Sequence, residues 1–593
     1  MQCLRYLARQ GLALQGTHGE DNFTQLMLLL GTKDPSIVKA LDQSTRKYTH
    51  HDVQNELLDI MARQVLSAKL EEIQENDIFS IMCDEYTDQS NKEQMTFCVR
   101  TVDDCLEVEE DFLGFYEVQN IKSDTLVAAI KDILLRLNLQ LASCRGQTYD
   151  GASNMFGKKS GVAAQILALQ PLALAIHCFG HSLSLAVKDL TSHCDIIGET
   201  MSTAGEICIL VKYSPKREKM LGDMSSNIEV MDADVDVDDG TSLEKLSETR
   251  WTVRASCFQR IIDSYSNLQS LWDVCLTENL TKEVRSRIIG CQAQMKKFSF
   301  FFGLCLGQRL FSLTDNLSKT LQKEKMSAVS GHRLAMLTKE TIDRMRSEEN
   351  FKLFYQSVIK KALLKSNVEL PTLPRKRKRP NYSILLYVEG YKQTAPAHHP
   401  TTPEDHYREI YNLAIDSVSQ ALTTRFDQES YKAFSALEQL LLKGIENQAY
   451  HEELIALNKY YPGDVDSTAL PAELQILKTI CNGENPSYAQ EIFDIMKSQR
   501  DNLKLMPNIT KIAKLLLVNG ATTATPERSF STARRLKSWL RTSMKQKRFN
   551  SLAILNIYKT LTDKIDFIKV GNSFVTSQDV RQNYFGKFIK EDL

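Results

Sequence analysis

A chain of 593 residues is long enough for several folded units, or for one domain carrying a large insertion. Hydrophobic residues at 42% and charged residues at 25% are ordinary for globular proteins, which excludes a globally disordered chain and disfavours a membrane protein. Lys+Arg at 73 against Asp+Glu at 74 gives a net charge of -1, so nucleic-acid binding would need local basic patches rather than a global field.

From Glu20 to about Leu70, NFTQLMLLLG and HDVQNELLDIMARQVLSAKLEEI carry apolar residues at helical spacing and predict a helical lead-in over 1–75. After Asp77 the texture changes. IFSIMCDE is a short apolar run ending in acids, and EQMTFCVRTV and LEVEEDFLGFYEV are β-prone stretches about the polar turn DDC, so three successive strands are expected. SDTLVAAIKDILLRLNLQ opens on a capping-type Ser-Asp and reads as a helix through Leu126, Ile130, Ile133 and Leu137. LASCRGQTYDGASNM then supplies a strand ending near Asp150, NMFGKKSGVAAQILAL a helix, LALAIHCF a strand and HSLSLAVKDL a helix. The order β-β-β-α-β-α-β-α is that of an RNase H-like α/β core over 76–195, in which the first and fourth strands lie parallel and adjacent. That adjacency would bring Asp84 and Asp150 together at the carboxyl ends of their strands, where ligands of open α/β sheets bind.

The stretch 196–506 reads as a large all-α insertion, broken by the acidic loop NIEVMDADVDVDDGTS at 227–242 and a Pro- and His-rich stretch from Pro371 to Pro403. PRKRKRP at 374–380 reads as a nuclear localisation signal or a phosphate-contacting loop, with a solvated basic linker as the plain alternative. From Pro507 the core pattern resumes over 507–565, followed by a tail over 566–593. In ATTATPERSFSTARRLKSWL, Thr525 suits a helix N-cap, Pro526 the first helical position and Glu527 the first turn, where the macrodipole favours a carboxylate for purely structural reasons. Beyond it, Arg528, Arg534, Arg535, Lys537 and Arg541 alternate with Phe530, Leu536, Trp539 and Leu540, which fits one packed face and one face toward phosphate, or a merely solvated basic face. Leu552, Ile554, Leu555 and Ile557 offer an apolar surface for a partner or for core burial. The 13 cysteines, without any CxxC pair, fit reduced thiols in cytosol or nucleus. No apolar run is long enough to span a bilayer, and the N-terminus lacks the long apolar core of a secretory signal, so no membrane association is expected.

MCDEYTD, TYDGASNM, CFGH, ETRW and PERSFS, in this order, resemble the motifs of hAT-superfamily transposases and their domesticated descendants, most of all the zinc finger MYM-type protein 1-like set. That set joins a domain of unknown function, resembled here from the N-terminus to about Val187, to a hAT C-terminal dimerisation region, resembled over about Pro507 to Thr562. The resemblance implies that Asp84, Asp150 and Glu527 form a catalytic, metal-holding acid triad, that Cys178 and His181 form the CxxH motif, and that Arg250 and Trp251 of the RW motif lie beside DNA with Arg528, Arg534 and Arg535. It also implies self-association through the C-terminal region. Three carboxylates suit two hard cations, Mg²⁺ or Mn²⁺, for in-line attack at phosphorus. Cys178 and His181 read alternatively as half a zinc site, or as packing and hydrogen bonding beside the acids. Two functions are expected from these residues: a transposase that cuts and joins DNA, or a catalytically silent nuclear factor that binds DNA or protein through the same scaffold. The intact triad supports the first, while the start of the chain directly in the helical lead-in, without the zinc-binding recognition module common in the family, is expected to weaken specific recognition of transposon ends.

Overall fold

Five strands, β1 (Phe79–Thr87), β2 (Glu93–Val102), β3 (Val108–Glu117), β4 (Cys144–Tyr149) and β5 (Leu174–His177), form one sheet in the order β3-β2-β1-β4-β5. The structure is a computed structural model and describes residues 1–14, 21–41, 48–226, 253–323, 325–365, 367–373, 400–481, 483–538 and 541–589. The acidic loop, PRKRKRP, Trp539, Leu540, and the motif residues Arg250 and Trp251 lie outside the described residues. The expected strand order is observed. β1 pairs antiparallel with β2 and parallel with β4, with Met82 opposite both Cys98 and Thr148. Between β3 and β4 stands helix Ser123–Arg136, which buries Leu126, Ile130 and Ile133 as its periodicity predicts.

Alternation along the strands sends successive side chains to opposite faces. Odd residues of β1, Phe79, Ile81 and Cys83, join Phe97, Val99, Leu126, Ile130 and Ile166 in one core. Even residues face the C-terminal part of the chain. Ser80 Oγ donates to Val518 O at 2.6 Å, and Met82 packs with Cys98, Phe112, Phe549 and Leu552 in a second core. β2 follows the same parity: the buried Arg100 donates from Nε to Leu517 O at 2.8 Å, and Thr96 Oγ1 meets Ser529 Oγ at 3.5 Å. On β4, Thr148 Oγ1 donates to Gly520 O at 3.2 Å. A side chain at Gly146 would put its Cβ 2.1 Å from Asn519 Oδ1, so that position needs glycine for the close approach of the Asn519 side chain. One face of the sheet is therefore covered by segments more than 400 positions away in sequence, such as Ser80 and Val518.

The chain divides into two compact units. The first comprises Met1–His181, Gln322–His332 and Gln428–Leu593, and the second Ser182–Leu321 and Arg333–Asp427. The helices Glu429–Glu446, Leu470–Cys481 and Ala489–Ser498 thus lie in the first unit with the sheet. The second unit is helical throughout its described residues. Its helix Phe298–Leu321 is buried almost all round, the signature of a central core helix. Phe311 meets Phe258 edge to face at 5.4 Å, and Asp315 Oδ2 accepts the Ala255 N–H at 2.8 Å at the start of helix Arg254–Asp263. Among the described residues, no helix is long and apolar enough to cross a membrane.

Candidate active site

Parity places the first acid. Asp84 shares the even face of β1 with Ser80 and Met82, so its carboxyl points to the side occupied by helix Ala524–Leu536, whose first turn carries Glu527. Asp150 follows β4 directly, in register with Gly146 and Thr148 of the same face, and its Oδ1 accepts the Ala152 N–H at 3.3 Å. β5 ends at His177, after which Cys178 and the start of helix Phe179–His193 bring His181 to the same place.

The electrostatics show that these groups sense one another. Burial pushes the Asp84 carboxyl well above the ordinary carboxylate range, and the charges of Glu527 and, less strongly, Asp150 push it further, with His181 partly offsetting them. Burial also raises Glu527, against the lowering influence of His181, Thr523 and Arg528, and Asp150 adds to the rise. Burial alone would lower His181, but its hydrogen bond with Cys178 and the nearby acids Glu527 and Asp84 outweigh this and lift it to about 10. His181 Nδ1 lies 3.8 Å from Glu527 Oε1. The structure therefore brings Asp84, Asp150, Glu527, Cys178 and His181 together.

Helix Ala524–Leu536 starts differently from the sequence expectation. Its N-cap is Thr523 rather than Thr525, because the Thr525 hydroxyl is taken by the Glu110 carboxylate. Thr523 in turn binds the site: its N–H donates to Cys178 Sγ at 3.3 Å, and its Oγ1 lies 3.3 Å from both Cys178 Sγ and Glu527 Oε1. Ligand atoms of Cys178, His181 and Glu527 all lie within 4.8 Å of one another. Cys178 is thus tied to the turn that presents Glu527, in the manner of the packing and hydrogen-bonding alternative. His181, expected beside the acids, acts as the cation among them. One contributor was not among the expected site residues: Glu85, on the opposite face of β1 beside Asn154, is raised to about 7 by burial and then by Asp150. Glu85 adjoins Asp84 at the end of the same strand, and alternation turns its side chain to the opposite face.

Of the basic residues after Glu527, Arg528, Arg534 and Arg535 are exposed, Arg528 and Arg535 on one helical face, and Arg528 Nη2 donates to Gln322 O at 2.9 Å. Lys537 is not on that face. It is buried, and its Nζ pairs with Asp88 Oδ2 at 2.5 Å. Leu552, Ile554 and Leu555 are 2%, 5% and 0% exposed within the first unit's own core, which is the core-burial alternative for these side chains.

Two family models match. The ZMYM1/FAM200 RNase-like domain covers residues 1–161 and the hAT family C-terminal dimerisation region covers 479–561, a wider C-terminal match than the motifs suggested. The chain is also similar to the 52 kDa repressor of the inhibitor of the protein kinase of Mus musculus, 22% identical over 581 residues, covering 93% of this chain and 72% of the relative. The protein of the same name from Homo sapiens is 22% identical over 587 residues with the same coverage.

Proposed function

We propose that this chain, which joins a ZMYM1/FAM200 RNase-like domain to a hAT C-terminal dimerisation region in one polypeptide, is a self-associating, DNA-binding nuclear protein of hAT descent. In this reading its core is RNase H-like and is interrupted by a helical insertion, and its acids Asp84, Asp150 and Glu527 form a site for DNA cleavage and strand transfer. The observation that carries the reading is the convergence of these acids from three distant parts of the chain, each close enough to perturb another. A β3-β2-β1-β4-β5 sheet with parallel β1 and β4 supports it.

The donor set fits divalent cations. Burial and neighbouring carboxylates raise Asp84 and Glu527, charge that a bound cation would offset, and hard oxygen ligands suit Mg²⁺ or Mn²⁺. Asp84, Asp150 and Glu527 would hold the ions, which supply Lewis-acid polarisation of the phosphate and of the attacking oxygen. The chain's own residues do the rest. Asp84 and Asp150 are fixed by paired strands, Thr523 and Cys178 hold the turn before Glu527, and the exposed Arg528, Arg534 and Arg535 meet backbone phosphates.

A second reading, a catalytically silent DNA- or protein-binding repressor, is favoured by a specific observation: His181 already supplies a positive charge 3.8 Å from Glu527. The similarity to proteins named as repressors supports it too. Mn²⁺-dependent nicking of DNA by the full chain, lost in each of Asp84→Asn, Asp150→Asn and Glu527→Gln, would establish the first reading. Absence of nicking together with no Mn²⁺ binding by calorimetry would leave the second.

A further inference from the structure

A cavity of about 320 Å³ opens in the first unit between the end of the first helix, Gln2–Gln10, with its following turn, the start of helix His51–Gln74, and the start of helix Gln546–Ile557. None of Asp84, Asp150, Glu527, Cys178 and His181 lines it. Its wall carries Arg541, Lys545 and Arg548, together with Ser543 and Asn55. Lys545 is the N-cap of the last of these helices, so the positive end of a twelve-residue macrodipole adds to three cationic side chains.

Among the described residues, no ion pair ties Arg541, Lys545 or Arg548 to a carboxylate. Arg541 Nη1 donates to two backbone carbonyls, Gly11 O at 3.2 Å and Leu536 O at 3.3 Å, and to no carboxylate among the described residues. Arg548 Nε is buried and has no hydrogen-bond partner, as is Asn55 Oδ1 on the same wall. Burial, and after it the nearby Arg541 guanidinium, hold Arg548 below its ordinary pKa, which marks two like charges close together. The carboxylate on this wall among the described residues is Asp52, whose side chain is 76% exposed, so water screens its charge from the wall. A buried guanidinium N–H without a partner costs free energy that an anion with several acceptor oxygens would recover.

We infer that Arg541, Lys545 and Arg548 form a binding site for a phosphoryl group, separate from the acid cluster. Tetrahedral oxygens match the forked donors of two arginines, and the hydroxyl of Ser543 and the amide of Asn55, rotated to present its NH₂, complete the donor set. The group arrives either on a free phosphoanion or on a nucleic-acid backbone.

The test uses the full chain, with inorganic phosphate and pyrophosphate as probes against chloride at equal ionic strength. Wild-type protein is expected to gain about 2 °C or more in Tm with pyrophosphate. Arg548→Gln loses that gain while its Tm without anion is unchanged or higher, because one of two crowded charges is gone. Lys545→Gln, an exposed and structurally safe change, weakens pyrophosphate binding at least threefold by calorimetry. A duplex titration separates the sources. If Arg548→Gln weakens duplex binding tenfold and pyrophosphate competes with duplex, the group belongs to nucleic acid, and if duplex binding is untouched while pyrophosphate binding is lost, it is a free phosphoanion. An equal Tm gain in wild type and Arg548→Gln, or no gain in wild type with either probe, overturns the site.

Discussion

His181 Nδ1 lies 3.8 Å from Glu527 Oε1, and this approach joins the segment after β5 to a helix more than 300 positions later. The imidazole is lifted to about 10, so it is a cation throughout the neutral range. Its folded value lies above its ordinary 6.5, so the stability it contributes is fully present below about pH 6.5 and is lost as pH rises through 10. Wild type is therefore expected to lose stability relative to His181→Gln between pH 7 and 10, measured by urea unfolding. In Glu527→Gln the His181 resonance should titrate at least one unit lower by NMR, and an unchanged midpoint would contradict the pairing.

Lys537 and Asp88 form a buried pair, with Gln94 Nε2 also on Asp88 Oδ2 at 3.1 Å. Asp88→Asn leaves the Lys537 ammonium without its partner and is expected to cost about 3–5 kcal/mol, with Asp88→Asn/Lys537→Met recovering part of it. Burial would raise the Asp88 carboxyl, but Lys537 and Ser90 outweigh it and hold it at about 2, below its ordinary 3.8. The pair's contribution is thus complete above about pH 4 and fades as pH falls toward 2. The stability gap between wild type and Asp88→Asn should narrow over that interval; a constant gap counts against the ion pair.

Gly146→Ala sets a methyl group against Asn519 Oδ1 at 2.1 Å, both rigidly held between β4 and the 507–518 helix. The expected loss is about 1–3 kcal/mol. Combining it with Asn519→Ala removes the clash, so the double variant should be more stable than the sum of the two single losses implies, by denaturant midpoint.

Leu555→Ala is expected to destabilise the folded chain by about 2–5 kcal/mol and to leave the mass of the native species in light scattering unchanged, since Leu555 is 0% exposed in the chain's own core. Removing 507–593 uncovers a whole face of the sheet, and the remaining chain should lose its cooperative thermal transition instead of dissociating into folded monomers. A well-folded truncated monomer would show that the C-terminal region is an interface and not part of the core.

Much of the fold was legible. Alternation in IFSIMCDE and EQMTFCVRTV located β1 and β2, and the helical period of SDTLVAAIKDILLRL located the following helix, because these patterns report which side of a local element is buried. The same logic misplaced the start of helix Ala524–Leu536. Thr525 has the chemistry of an N-cap, but a carboxylate from β3, Glu110, claims its hydroxyl. Lys537 read as part of a basic face because charge usually marks solvent, and only the presence of Asp88 opposite it makes burial affordable.

The sequence by itself determined the succession of strands and helices after Asp77 and the acid in the first turn of a C-terminal helix, since each follows from periodicity and end signals within a few residues. Only the tertiary structure decided which groups meet: that His181 faces Glu527, that Glu85 senses Asp150, that Arg548 lies near Arg541, and that Leu555 completes a core. Local period fixes the direction of a side chain but not its partner, and the partner, through burial and the sign of the neighbouring charge, sets the chemistry.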